Sequence, residues 1–392
     1  MKIRYFMLHA YGVGGTIRTV VNQANAMAAA GHDVEVVSLV RRRERPQFRL
    51  DPRVPIVTLV DQRGGRLPDS LGRRAWRRLR RKIVPRGEFA AAYFTERVER
   101  AAIDYVRALR DGVLVTTRPA LNLIAARRAS EEVLTVAQEH MNLSAYPETI
   151  RGQIARHYGR LDAITVLTRT NRHEYERLLP GAPIVQIPNA VHRMDREPSR
   201  QVNPVVVAAG RLTPQKGFDL LIEAFARVVS EHPEWRLRIL GTGARKAELG
   251  GLVERLGLGG HVTLAGRADG LELELANASV YALSSRFEGL PMVMIEAMAH
   301  ALPVVAFDCP TGPRDVLTDG ADGVLVPPRD VNALADALNR VVSDRDLRVR
   351  MGRAAAETAQ AYEPEQVMPL WEDLFAELAH GERVTGTFWH DR

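Results

Sequence analysis

Short apolar runs recur along this chain at intervals filled by amphipathic stretches, and that alternation predicts its elements. Runs at 3–8, 34–39, 54–59, 113–116, 134–137 and 163–167 read as strands, with helices expected between them at 16–30 and 121–128. Gly31 stands where the first helix would end, just before the strand at 34. A polar stretch at 192–203 reads as a linker, and a second βα series follows it. Its strands are expected at 205–210, 236–240, 262–265, 279–283, 304–307 and 324–326. Its helices are expected at 217–230, 247–256 and 291–300. Strands alternating with helices predict an α/β fold with parallel sheets covered on both faces, here as one open α/β unit after another. The expected boundaries are 1–190 for the first domain and 204–362 for the second. A last amphipathic segment from 363, within a tail ending at 392, would cross back to brace the first domain.

Composition sharpens this picture. A chain of 392 residues with 46% hydrophobic content suits two domains of ~150–200 residues. One cysteine, Cys309, excludes a disulfide framework and a cysteine-based metal cluster. No window approaches the ~18 apolar residues of a spanning helix, and the start does not read as a secretory leader. Cytoplasmic residence is therefore expected. Charge is uneven: residues 1–190 carry 32 basic and 18 acidic side chains, residues 191–392 carry 22 and 29. A basic half suits an anionic partner, or serves solubility alone.

The densest candidate chemistry is the segment Arg286-Phe287-Glu288-Gly289-Leu290-Pro291, continuing to Glu296. Pro291 suits the first position of a helix. Gly289 and Leu290 would then offer bare backbone N–H groups to a phosphate at a positive helix end. Glu296, inside the helix, can accept two hydroxyl bonds from a ribose diol. A pair of carboxylates near a helix start is also what simple capping would leave. Gly210-Arg211-Leu212-Thr213-Pro214-Gln215-Lys216-Gly217 follows a buried strand and opens a helix, the place where open α/β sheets bind ligands. Arg211 and Lys216 can converge there on a diphosphate, one as a planar fork and the other as a point charge.

Together these segments resemble the donor site of family 4 retaining glycosyltransferases of the GT-B fold, and the resemblance implies two Rossmann-like domains facing a central cleft. The likeness extends over nearly the whole chain and is most specific in the second half. There G-R-L-x-x-x-K-G is followed by Gly241-Thr242-Gly243, by Gly266-Arg267, and by the E-x7-E pair Glu288 and Glu296. The resemblance implies that Arg211 and Lys216 hold the donor phosphates, with Gly210 and Gly241 also in the donor site. It gives the ribose to Glu296, sugar hydroxyls to Glu288 and the nucleobase pocket to Gly266 and Arg267. Gly14 and Gly15, in a glycine-rich turn after the first strand, would form the cleft floor near the sugar. His140 would touch the sugar or acceptor, so the catalytic set is His140, Arg211, Lys216 and Glu288. A lone histidine is equally at home as a satisfied structural side chain. Asp308-Cys309-Pro310-Thr311-Gly312-Pro313-Arg314 resembles a variant found in enzymes of cell-surface polysaccharides and lipid-linked glycans.

On the acceptor side the candidates are Thr16, Arg118 and Glu139. Thr16 is also suited to cap the first helix, and Arg118 to either an acceptor phosphate or a surface ion pair. The stripe Trp76, Leu79 and Ile83, flanked by Arg73, Arg74, Arg77, Arg80 and Arg81, predicts a basic amphipathic helix. Such a helix can lie peripherally on an anionic leaflet, or dock on its own domain with its arginines in water. No nucleic-acid motif accompanies it, and no nucleic acid is expected as a partner.

The expected reaction is transfer of a hexosyl or N-acetylhexosaminyl group from a nucleotide sugar, UDP-linked by resemblance, to a glycan, lipid-linked or phosphorylated acceptor. No cofactor and no metal are expected, since no D-x-D motif sits in a strand-end loop and protein cations would steady the leaving diphosphate. An epimerase or phosphorylase of the same fold remains an alternative, as does a non-catalytic protein that binds anionic surfaces. A nicotinamide dehydrogenase fits poorly, for want of G-x-G-x-x-G and its acidic partner.

Overall fold

The computed structural model describes residues 1–65, 83–85, 87–191, 197–267, 270–381, 384 and 389. The chain divides into two compact units, Met1–Pro188 with Met368–Arg392, and Asn189–Val367.

The first unit is built on β1 (Lys2–Met7), β2 (Asp33–Arg41), β3 (Ile56–Asp61), β4 (Val113–Thr116), β5 (Leu134–Gln138), β6 (Ala163–Val166) and β7 (Ile184–Gln186). They lie in the order β3-β2-β1-β4-β5-β6-β7, all parallel. The second unit holds β8 (Val205–Ala209), β9 (Arg236–Leu240), β10 (Val262–Gly266), β11 (Val280–Leu283), β12 (Val304–Phe307) and β13 (Gly323–Val326). Their order is β10-β9-β8-β11-β12-β13, again parallel. Every residue of β4, β6, β11 and β12 is buried, as strands covered on both faces must be, and their Val/Ile-rich runs supply the apolar surface.

The helices show why the amphipathic stretches were legible. Helix Phe218–Glu231 buries Leu221, Ile222, Phe225 and Val228, which share one face at helical spacing. Each such side chain contributes roughly 1.5–3 kcal/mol by leaving water. Asp344, in the charged segment Asp344-Arg345-Asp346, caps helix Arg345–Gln360 by accepting from Leu347 N at 2.8 Å. Two departures from the sequence reading concern connections. β7 was not expected, and it pairs with β6 from Ile164 opposite Ile184. The expected linker is not free chain over 199–201: Ser199 N donates to His300 O (2.9 Å) and Gln201 Nε2 to Ala301 O (2.6 Å).

In each sheet the order in which strands are laid down reverses once. In the first unit β1 neighbours β4, and in the second β8 neighbours β11. Chains leaving such neighbouring strands run to opposite sides and open a crevice between them, the usual ligand position in open α/β sheets. The final helix Pro364–Ala379 enters the first unit from Met368 on, burying Trp371 and Phe375 with ring centroids 5.8 Å apart.

Candidate active site

At the crevice of the second unit, the loop after β8 meets the loop after β11. Arg286 N donates to Gln215 O (2.7 Å), Gln215 Nε2 to Phe287 O (3.1 Å) and Ser284 Oγ to Lys216 O (3.0 Å). Gly217 makes the clasp possible. Its φ of 61° lies in the left-handed region, and a Cβ there would stand 2.0 Å from Ser284 O.

The clasp brings Lys216 and Glu288 together. Lys216 Nζ lies 2.6 Å from Glu288 Oε1, with side chains 17% and 7% exposed. The same oxygen accepts from Ser285 Oγ at 2.5 Å. Arg211 is exposed, and its side chain has no partner among the described residues. The backbone N–H groups of Gly289 and Leu290 likewise donate to nothing among the described residues. Helix Met292–Ala299 begins one residue later than expected, with Pro291 as its N-cap rather than its first residue, so Gly289 and Leu290 precede the helix proper. Glu296 is buried within that helix. Beneath the site burial pushes the Tyr281 phenol up, and Glu288 and Glu296 add to the effect.

Gly210, Gly241 and Gly266 form a backbone lattice beside the pair. Gly210 N donates to Leu240 O (2.9 Å), Leu212 N to Thr242 O (2.9 Å) and Gly241 N to Gly266 O (2.6 Å). A Cβ on Gly241 would fall 1.8 Å from the Gly210 carbonyl oxygen, so the two strand ends touch only because Gly241 has no side chain. Arg267 is exposed at the end of β10. Asp219, which the sequence reading missed, braces the clasp. Arg286 Nη2 reaches it at 2.7 Å and Arg245 Nη1 at 3.1 Å. Burial alone would raise its pKa, but the two guanidiniums hold it down to about 2. Arg286 stands in the quoted motif, and only the folded chain brings its partner to it.

The crevice of the first unit opens into a cavity of about 200 Å³, lined from the ends of β1, β4 and β5. Thr16, Arg118 and His140 all border it. Both ring nitrogens of His140 are buried without a hydrogen-bond partner, and burial lowers its pKa to about 4. Arg118 is an ion-paired residue: its Nη2 donates to Glu88 Oε1 at 2.7 Å, where the Glu88 side chain is 1% exposed. Glu88 was missed because no motif marks it. Thr16 is the second residue of helix Gly15–Ala29 rather than its cap, a place taken by Gly14. Gly14 and Gly15 are exposed, with open space where a Cβ would stand.

Glu139 departs from its expected place on the acceptor side. It is fully buried, accepting from Asn122 Nδ2 (2.8 Å), Tyr146 OH (2.7 Å) and Tyr158 OH (2.7 Å). Desolvation raises its pKa against the pull of those donors. The loop leaving β5 thus points His140 to the cavity and Glu139 to the core. The expected membrane-facing residues Arg73, Arg74, Trp76, Arg77, Arg80 and Arg81 lie outside the described residues. Among the described residues, no three His, Cys, Asp or Glu side chains cluster to hold a metal ion, and no helix is long and apolar enough to cross a membrane.

Two parallel-sheet Rossmann-like units, with a lysine, a glutamate and open backbone N–H groups gathered at the switch point of the second, have the architecture of the GT-B glycosyltransferases. Sequence likeness fixes the family: residues 193–358 match the model described as "Glycosyl transferases group 1", and the chain belongs to that family. A phosphatidyl-myo-inositol mannosyltransferase of Mycobacterium leprae is 32% identical over 275 residues, covering 65% of this chain and 71% of the relative. An exopolysaccharide phosphotransferase of Streptomyces coelicolor is 35% identical over 96% of this chain, which spans only 41% of that relative's length. Among solved structures, a point mutant of Staphylococcus aureus TarM in complex with fondaparinux, alpha-GlcNAc-glycerol and UDP superposes with a TM-score of 0.76 at 17% identity, over 95% of this chain and 99% of that one. That likeness concerns the fold alone.

Proposed function

We propose that this glycosyltransferase takes a hexosyl or N-acetylhexosaminyl group from a nucleoside-diphosphate sugar, with UDP the favoured nucleotide. It passes the sugar, with retention of anomeric configuration in the manner of family 4, to a lipid-linked or cell-surface glycan. The observation that carries this reading is the Lys216–Glu288 contact at 2.6 Å beside the open N–H groups of Gly289 and Leu290. An ammonium, a free guanidinium on Arg211 and two undirected N–H donors suit a diphosphate. A carboxylate at the same point suits the hydroxyls of the attached sugar. UDP bound to TarM, and the lipid and exopolysaccharide named for two relatives, support the choice of donor and acceptor.

The proposed step is a front-face displacement. The acceptor oxygen forms its bond to the anomeric carbon as the bond to the diphosphate oxygen breaks, on the same side of the sugar. The departing diphosphate takes the acceptor's proton, so no protein base is required. Arg211, Lys216 and the Gly289 and Leu290 N–H groups stabilise the charge that gathers on the leaving group, commonly the largest catalytic contribution. Protein cations serve where other enzymes use a divalent ion, so no metal is needed. The acceptor is held by the first unit at the cavity bordered by Thr16, Arg118 and His140. The basic segment at 73–81 would bring the enzyme to the inner, anionic face of the cell membrane.

The test is a panel of nucleotide sugars, scored for nucleotide release with and without a membrane extract. One donor should turn over only when acceptor is supplied, and Lys216→Ala should cut release about 10²–10³-fold with every donor. A Lys216→Ala enzyme of normal activity would remove the phosphate assignment. Quantitative conversion of donor without acceptor would point to an epimerase or phosphorylase.

A further inference from the structure

The first-unit cavity carries more information than its position. Among the described residues its charged lining side chains are Glu88 and Arg118, and they are spent on each other. Glu88 is pinned by three donors: Arg118 Nη2 at 2.7 Å, Ala120 N at 3.2 Å and Ala90 N at 3.4 Å. Arg118 keeps further N–H groups uncommitted, with Nε buried and unpaired, yet its charge is cancelled where it stands.

The two histidines of the lining add no charge. His140 is driven to about 4 by burial. His9 is lowered by burial and by Arg42 and Arg43 outside the lining, against a bond between its Nδ1 and Val40 O at 3.2 Å. Each neutral imidazole offers one donor and one acceptor nitrogen, and both nitrogens of His140 are free. Phe89, 62% exposed, stands on the cavity lining with its ring 6.3 Å from that of Tyr146.

We infer that this cavity receives an uncharged sugar ring of the acceptor rather than a phosphate, and that Glu88 sets this choice by holding Arg118. Hydroxyls both donate and accept, which matches the free nitrogens of His140 beside the spare N–H groups of Arg118. The apolar C–H face of a sugar ring suits the exposed face of Phe89. A phosphate accepts only and brings nearly two negative charges. It would meet the Glu88 carboxylate and the acceptor nitrogen of His140, and no described residue of the lining offers it an uncompensated cation. This rests on the reading of the cavity as the acceptor site and replaces the expectation that Arg118 grips an acceptor phosphate.

The test measures binding to the full chain without donor, by ligand-observed NMR. The probes are methyl glycosides of neutral hexoses and N-acetylhexosamines, the corresponding hexose 6-phosphates, and inorganic phosphate. Neutral glycosides should bind and resist displacement by inorganic phosphate. Phe89→Ala, at an exposed position that leaves the fold intact, should weaken them roughly tenfold. Glu88→Gln keeps an acceptor for Ala120 N but uncovers the Arg118 charge, so 6-phosphates should gain roughly tenfold over the neutral glycosides. Tighter binding of phosphates than glycosides by the unaltered chain would overturn the inference, as would no glycoside binding or an indifferent Phe89→Ala. UDP binding in the same samples reports on the donor reading separately, because only its failure reaches the proposed function.

Discussion

Replacing Lys216 and Glu288 singly and together separates what the pair does for stability from what it does for catalysis. In Lys216→Ala the Glu288 carboxylate, 7% exposed, keeps only Ser285 Oγ among its side-chain partners. An uncompensated buried charge of this kind costs about 3–5 kcal/mol. Lys216 retains some contact with water and Ser285 stays, so the low end, about 3 kcal/mol, is expected. In Glu288→Gln the ammonium is 17% exposed and can turn to solvent, so the loss is smaller, about 1 kcal/mol. The double variant holds no unpaired charge and should recover about 2 kcal/mol relative to the sum of the singles. Urea unfolding of the three variants measures this coupling. Turnover should behave differently. Each single change removes about 10²–10³ in rate by the usual cost of a lost electrostatic contact, and the double recovers none of it. Coupling below about 0.5 kcal/mol would mean that the contact carries no energy, and the reasoning from its geometry would fail.

Three further outcomes follow from the same structure. His140 is held near 4 against an ordinary 6.5, a gap worth about 3 kcal/mol. The folded chain resists the proton that the unfolded chain accepts. Stability is therefore intact above 6.5 and is lost as pH falls toward 4, and His140→Gln should flatten that slope in urea midpoints. Gly241→Ala forces a methyl to within 1.8 Å of a backbone oxygen, so a loss of more than about 2 kcal/mol with failure of UDP binding is expected, measurable by thermal melts with and without nucleotide. Turnover should persist in a chelator. Complete loss on adding EDTA, reversed by a divalent ion, would refute the metal-free step.

The parallel sheets were legible because strands such as Val280–Leu283 and Val304–Phe307 are unbroken apolar runs between amphipathic ones. β7 was not, since Ile184–Gln186 is only three residues long and takes its strand character from pairing with β6. The two donor-site motifs could be seen separately, and their contact could be argued from topology. The buried supports could not. Glu88 and Arg118 are 30 residues apart, Asp219 and Arg286 are 67 apart, and no local pattern joins either pair. Glu139 and His140 show the same limit at close range. Neighbouring polar residues leave one strand in different directions, and only the tyrosines waiting in the core decide which is buried. The start of the helix after Leu290 was missed by one residue, a shift that capping rules do not resolve.

The return of the chain to its first unit bears on how the protein is made. That unit begins at Met1 yet is completed by residues from Met368 on, with Trp371 and Phe375 buried in it. During synthesis its sheet emerges early but must wait, with an apolar surface uncovered, while the whole intervening unit is produced. The second unit, continuous from Asn189 to Val367, carries no such delay and can close first. Order of assembly would thus run against order of translation, and the half-finished early unit is where a chaperone would find its hold.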